Sequence, residues 1–557
     1  QLREQNRHSL GMEFVSPLSG KEEAPPPREE WLAVGPSTPV EACESLGAFY
    51  RRSHPVKYDY IIIGAGASGL NAIAGLHHVN RAFSILVIEE LEQVGGGWSI
   101  FYEFCRLHVP HTTFGVSGTQ NKWGYKDRST LATRQRVMDV FREYVSDLPG
   151  SVQFVFKHTY LKCQRVSSDE VAASLRAPDG STLMISASFL LDCRCLRYNQ
   201  LLAEPRGMVM QPDISLSGHI RTCGSNALPA VVSHTILLHD ALTYVVVGGG
   251  KTGLDAVLYL HKHKRDCDHV ILITGSSKFF LNRDVWICRD DCTSIFVPCV
   301  SERILDLVLS WDGHNEQHLF QDLEAQGAMF KFGNGPAKTC NIGIVSSEEK
   351  KRVDDCCNTV VENDHFQEIV VGQRVSYVVL KSGRKILLST LHVCVVLCTS
   401  TLREGGVYHS VGPVTSSDGS VTIGGHLGPT MRSSYLTSIL AAKGHLEKVK
   451  WMGYDTTVAK GFCMHFWLTN FYNTLYCLHN SLLTPSDLQS CTINVDKLAH
   501  PVQQRIAVAK LLRSWPMIKA KSELLLHPIS YTLPPSQPRG GEGGGGDGGG
   551  EGGGERE

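Results

Sequence analysis

Two short stretches constrain this chain more than anything else in it. "YDYIIIGAGASGLNAIAGL", from Tyr58, and "YVVVGGGKTGLDAVLYLHKH", from Tyr244, each run an apolar, β-rich segment straight into G-x-G-x-x-G. Each then continues into a helix-compatible segment. The turn glycines are Gly64, Gly66 and Gly69 in the first stretch and Gly248, Gly250 and Gly253 in the second, and Gly64 and Gly248 stand 184 residues apart. In a strand–turn–helix unit of this kind the first glycine permits the tight turn. The second lets a pyrophosphate approach the backbone, and the third lets the helix lie close on the strand. "GKT" at Gly250, Lys251 and Thr252 also suggests the phosphate loop of a nucleotide hydrolase. That loop needs a further glycine at position 245, where Val245 stands, and the strand here leaves no loop to wrap a phosphate. The pattern therefore predicts an α/β chain with two Rossmann-like dinucleotide-binding domains.

The residues after each turn separate the two ligands. After the first comes a strand, "FSILVIE", ending on Glu89, 20 residues beyond Gly69. An acid in that place accepts the ribose hydroxyls of FAD or NAD. Gly64, Gly66, Ser68, Gly69 and Glu89 form this candidate site. After the second turn the strand "HVILIT" ends at Thr274 without an acid, and "GSSK" follows. Ser276, Ser277 and Lys278 suit the extra 2′-phosphate of NADP, with Arg283 a second candidate. An exposed polar loop is the competing reading. Lys251 belongs either near phosphate or in solvent. A chain with both sites usually passes hydride from a nicotinamide to a flavin.

Four features together resemble the superfamily of flavin-containing monooxygenases and Baeyer–Villiger monooxygenases. They are "GAGASG" with Glu89; "EQVGGGW", with Gly97 and Trp98 similar to that family's Gly-Gly-x-Trp; the aromatic and acidic segment from Trp123 to Val145; and "VVVGGGKTGLDA" at the family's spacing. The similarity runs over about residues 57–450. It implies FAD in the first site and NADPH in the second. It also implies an inserted NADP domain, with "LHVCVVLCTS" (Leu391 to Ser400) as the strand returning to the FAD domain. The activity it implies is reduction of the flavin by NADPH, then oxygenation by O2, through a C4a-peroxyflavin, of a small nucleophilic or carbonyl substrate. Departures from the family pattern are equally specific. Its Phe-x-Gly-x-x-x-His has only "VVSHT" (Ser233, His234, Thr235) as a counterpart, and its late turn reads Cys398-Thr399-Ser400. Where the family places an asparagine, this chain has "RLHVPHTTFGV". His108 and His111 are thus candidates to line the flavin pocket, or else a structural pair in a loop.

Bulk properties set the remaining bounds. At 557 residues, roughly two to four domains are expected. The predicted boundaries are a disordered arm over 1–56, FAD domain over 57–225, NADP domain over 226–390, FAD-domain return and helical region over 391–530, and a disordered glycine-rich tail over 531–557. The net charge of −1 offers no global field for nucleic acid. The 18 cysteines have irregular spacing and read as buried, reduced thiols; Cys288, Cys292 and Cys299 make no zinc-finger pattern, so no metal is expected. No C-x-x-C occurs in residues 220–400, which removes the dithiol relay of a disulfide reductase. No run approaches the roughly 18 apolar residues of a membrane span, and a cytoplasmic location is expected. A flavin reductase or oxidase without oxygenation, and a non-catalytic flavoprotein scaffold that binds protein partners, stay open beside the monooxygenase reading. Oligomeric state and substrate identity are not readable.

Overall fold

In the computed structural model the described residues are 57–194, 220–235, 240–287, 298–337, 339–371, 375–390, 392–399, 418–453, 462–491 and 500–528. The arm and tail expected at the two ends lie outside them, as do Cys288, Cys292 and Ser400.

The apolar runs form strands where the sequence placed them, and the fold is α/β with two sheets of parallel strands at its centre. The first sheet holds β1 (Tyr58–Ile63), β2 (Ile85–Ile88), β3 (Val152–Val155), β4 (Thr159–Ser167), β5 (Glu170–Arg176) and β6 (Thr182–Asp192), in the order β3-β2-β1-β6-β5-β4. Its β3, β2, β1 and β6 run parallel, while β5 and β4 are antiparallel additions. The second sheet uses β7 (Ile220–Gly224), β8 (Leu242–Val247) and β9 (His269–Gly275). After β10 (Lys278–Asn282), β11 (Met329–Phe330) and β12 (Thr339–Val345), which form a small sheet of their own, comes its fourth strand, β13 (Thr359–Glu362). A three-stranded antiparallel ribbon follows: β14 (Phe366–Val371), β15 (Ser376–Leu380) and β16 (Lys385–Leu388). The second sheet then gains β17 (His392–Leu397), giving the all-parallel order β13-β9-β8-β17-β7. Finally β18 (Ser420–Thr422) joins the first sheet beside β6.

This topology corrects two expectations. The strand predicted to return the chain to the first domain, at Leu391 to Ser400, instead pairs residue by residue with β8, from His392 opposite Leu242 to Leu397 opposite Val247. The return is made by β18, only three residues long. Likewise β7, placed by sequence in the first domain, belongs to the second sheet. The reason is physical: a fully buried parallel strand is a continuous apolar run, and such a run fits either sheet equally well until its partners are known.

Six helices concern the site: α1 (Ala67–Val79), α2 (Arg134–Ser146), α3 (Lys251–His263), α4 (Ser347–Cys356), α5 (Thr430–Ala442) and α6 (Phe462–His479). α1 and α3 begin immediately after the two glycine turns. Their seating is set by backbone contact. A Cβ on Gly69 would collide with the Gly64 carbonyl oxygen, and a Cβ on Gly253 would collide in the same way with that of Gly248. Gly64 and Gly248 themselves hold φ of +97° and +129°, where other residues are strained. Beside each first glycine runs the residue that follows a strand: Cys193 N donates to Ile63 O (3.0 Å) in one sheet and Cys398 N to Val247 O (2.8 Å) in the other. β17 therefore stands to β8 as β6 stands to β1.

Because the obstructing atoms at Gly69 and Gly253 are backbone, neither site can relax by turning a side chain. Gly69→Ala and Gly253→Ala should each cost about 3 kcal/mol or more and lower the thermal unfolding midpoint by several degrees. Gly150→Ala, with no atom within 4 Å of the added carbon, should leave the midpoint within about a degree. Equal midpoints for Gly69→Ala and Gly150→Ala would contradict the packing role.

Candidate functional site

Parallel α/β sheets receive ligands at the carboxyl ends of their strands. At that edge of the first sheet lie the ends of β1, β6 and β18, where Ile63 is opposite Asp192 and Thr422 is opposite Asp192. The N-terminus of α1 opens there on Gly66, which has no side chain to accept the first-turn amides. Those amides are the ready-made partner of a phosphate. The glycine-rich loop after β2 covers the turn. Gly66 and Gly95 form a bridge, and Gly96 Cα lies 3.4 Å from where a Cβ on Gly66 would be. Gly97 is buried at the start of a single helical turn, and Trp98 packs edge-on against Phe101 and Phe114. The Trp98 and Ser99 carbonyls accept from Arg134 of α2, at 2.7 and 2.5 Å.

Glu89 is buried at the end of β2. Its Oε2 accepts from Ala65 N at 2.7 Å and its Oε1 from Leu91 N at 2.9 Å. Burial raises its pKa, with these amides opposing the rise. A carboxylate offers about four lone-pair sites, and the Glu90 amide also faces this one, so a site is left for a ribose hydroxyl while the acid closes its own turn. Ser68 is buried in the first turn of α1, and its carbonyl accepts from Ser434 Oγ of α5 at 2.5 Å. That bond brings the start of α5 beside the start of α1, which the sequence reading did not foresee. The loop before α5 turns at Gly428 (φ +124°), whose N–H donates to Asn470 Oδ1 of α6 at 2.8 Å. The amide nitrogen of Asn470, a residue 6% exposed, is left without a partner. A buried donor in that state costs free energy until an acceptor arrives.

The second turn has the same backbone and different electrostatics. Gly250 caps α3, again without a side-chain acceptor. Lys251, read from sequence as near phosphate or in solvent, starts the helix with its ammonium on Asp255 and 4.0 Å from Glu349 of α4. Burial pulls its pKa down, but these two carboxylates outweigh that and raise it. Glu349 is held low in turn: burial pushes it up, and Lys251 and Arg283 more than reverse that. Arg283 binds Glu349 at 2.8 Å and the His108 carbonyl at 3.3 Å. The guanidinium considered for a 2′-phosphate is thus committed to the junction between the two sheets. Asp255 accepts from the Tyr102 hydroxyl at 2.7 Å, and Thr252 also faces that hydroxyl.

At the end of β9, Ser276 is half-buried, Ser277 is 1% exposed with its hydroxyl unpartnered, and Lys278 begins β10. The Ser277 amide donates to Asn363 Oδ1 at 3.3 Å. An acid does stand nearby, one strand over. It is Glu362, at the end of β13, and its oxygens accept from Asn334 N (2.5 Å) and Gly335 N (2.7 Å). Sequence spacing from β9 could not find it, because β13 lies more than 80 residues downstream.

The histidines separate. His111 is buried, with Nδ1 3.0 Å from Thr130 O and its ring among Trp123 and Tyr125; those contacts fix a loop. His108 reaches the junction, where its Nδ1 accepts from Ile344 N of β12 at 3.2 Å. His234 is exposed on the helix Leu228–Thr235. Cys299 is buried, and among the described residues no group of three His, Cys, Asp or Glu could hold a metal ion. Among the described residues, no helix is long and apolar enough to cross a membrane.

No family model matches the chain. It is 25% identical over 231 residues to an uncharacterized protein of Mycobacterium tuberculosis, covering 41% of this chain and 40% of that protein. It is 26% identical over 186 residues to the soluble pyridine nucleotide transhydrogenase of Escherichia coli, covering 30% of this chain and 37% of that protein. The chain thus spans about two fifths of the length of the curated relatives it matches. Among solved structures, cyclohexanone monooxygenase from Rhodococcus sp. Phi1 bound to NADP+ covers 83% of this chain and 98% of that chain, at 12% identity and a TM-score of 0.43.

His108 supplies a test of the junction. Burial, then the charges of Lys251 and Arg283, lower its pKa from 6.5 to about 4, with Glu349 opposing. A depressed folded pKa means that its contribution to stability is present above pH 6.5 and is lost as pH falls toward about 4. His108→Asn, which keeps an acceptor for Ile344 N but does not titrate, should flatten the fall in thermal midpoint across that window. An unchanged acid slope would remove His108 from the account.

Proposed function

We propose that the chain is an oxidoreductase that binds FAD at the first turn and NADPH at the second, of the flavin monooxygenase type. The observation that carries this is the duplicated turn: two parallel sheets in one chain, each ending in a positive-φ glycine and an uncapped helix N-terminus. The unpartnered amide of Asn470 beside the start of α5 and the orphaned hydroxyl of Ser277 beside β9 fit two acceptors that the protein itself does not supply. The partial likeness to a pyridine nucleotide transhydrogenase, by its name a protein that handles pyridine nucleotides, supports the second assignment.

In this reading the amides of α1 and Glu89 hold the diphosphate and ribose of FAD, and Gly97 and Trp98 shape the cover over them. The amides after Gly250 hold the diphosphate of NADPH, with Thr252 and Gly253 in the same turn. Ser276, Ser277 and Lys278 take the 2′-phosphate. When bound, the flavin would supply the two-electron chemistry that links the nicotinamide to O2. The aromatic wall of Phe114, which is buried, and of Trp98 and Phe101, which are half-buried, keeps water from the covered side. His108 stays neutral at working pH and supplies no charge there. The substrate is a small nucleophilic or carbonyl compound, and the protein acts away from nucleic acid, in the cytoplasm.

Purified protein should be yellow and should consume NADPH and O2. Gly66→Val, whose side chain would press on Gly95 and Gly96 where the diphosphate must enter, should lose the flavin absorbance. A mutant that keeps it sinks the first assignment. Ser277→Ala with Lys278→Ala should reduce the preference for NADPH over NADH by roughly ten- to hundredfold, the size of one charge-assisted contact. Equal efficiency of the wild type with NADH would contradict the 2′-phosphate site. Oxygenated product formed in step with NADPH use supports the monooxygenase reading; hydrogen peroxide alone, with amine, sulfide and ketone substrates, supports the oxidase.

A further inference from the structure

The two turns are joined by an unbroken run of contacts. Gly66 packs on Gly95 and Gly96. The segment they begin is tied at Trp98 and Ser99 to Arg134. It continues to Tyr102, which is 7% exposed and donates to Asp255 Oδ2 at 2.7 Å. The other oxygen of Asp255 takes the ammonium of Lys251, the residue directly after Gly250. Two residues past Tyr102, Phe104 stacks on Tyr259 of α3 with centroids 4.5 Å apart. So the cover of the first turn rests on the helix that opens the second.

A diphosphate over Gly66 must share space with Gly95 and Gly96, so occupancy of the first turn displaces or fixes this segment; close-packed backbone transmits such shifts. At the far end, Tyr102 and Lys251 hold the two oxygens of one carboxylate, Asp255. A Tyr102 held in place therefore fixes Asp255, and through it the ammonium of Lys251. That ammonium stands at the start of α3, next to the amides that receive the second diphosphate.

We propose, resting on the two cofactor assignments above, that Tyr102 is a positioning residue that couples the two dinucleotide sites. FAD at the first turn sets Tyr102, Tyr102 sets Asp255, and Asp255 holds Lys251 in place beside the phosphates at the second. Coupling of this kind is reciprocal, so bound NADP+ tightens FAD by the same factor by which FAD tightens NADP+.

The test is FAD affinity, read from quenching of FAD fluorescence on titration with flavin-depleted protein, with and without saturating NADP+. The wild type should bind FAD about fivefold or more tightly when NADP+ is present. In Tyr102→Phe the effect of NADP+ should fall below about twofold, with FAD affinity in its absence essentially that of the wild type. Asp255→Asn, which removes the carboxylate that Tyr102 and Lys251 share, should lose the effect as well and covers the case in which the first variant folds poorly. An undiminished NADP+ effect in both variants overturns the coupling. So does a Tyr102→Phe that weakens FAD equally with and without NADP+, since that is a purely structural role. Failure of the wild type to take up FAD overturns the functional reading and this inference together; uptake indifferent to NADP+ overturns the inference alone.

Discussion

Everything in this structure depends on a helix lying against the strand that precedes it with only hydrogen atoms between the backbones. At Gly69 over Gly64, and again at Gly253 over Gly248, no carbon could be inserted. That contact fixes the angle at which α1 and α3 leave their sheets. It therefore fixes where their N-terminal amides point, which is past the carboxyl ends of the strands. An anion site is the by-product of a packing solution.

The two copies share a backbone and diverge in charge. The first turn is closed by one acid, Glu89, spread over two backbone amides. The second carries a lysine at the positive end of its own helix, an unfavourable place for a cation, and the structure compensates with Asp255 and Glu349, the latter shared with Arg283. Four partly buried charges held together in this way cost desolvation, and removing one leaves its partner exposed to that cost. The network also bridges the two sheets through Tyr102 and His108. The junction is thus polar and specific, which suits modules that must keep a defined register around ligands.

The turns, their glycines, Glu89 and the missing acid after β9 were all legible, because each is a local property of a few consecutive residues. Partners that are distant in the chain leave no such local mark. The apolar run at His392–Leu397 carries no mark of which sheet it will join, and the three-residue return strand at Ser420–Thr422 is too short to register. His111 and His108 looked alike in sequence, three residues apart, yet one pins a loop and the other meets β12. Arg283 and Lys251 looked available for phosphate. Their carboxylate partner, Glu349, is contributed by α4, about a hundred residues beyond Lys251.

The sequence by itself therefore determined that this chain builds two strand–glycine turn–helix units on parallel sheets, because backbone sterics at glycine act over six residues and need no partner. Only the tertiary structure decided how the turns are connected, which acids neutralise which cations, that Ser434 bonds the start of α1 and that Asn470 bonds the loop before α5. Those outcomes depend on side chains brought together from segments tens to hundreds of residues apart, and the charge on a lysine is the same in the sequence whether water or a carboxylate is waiting for it.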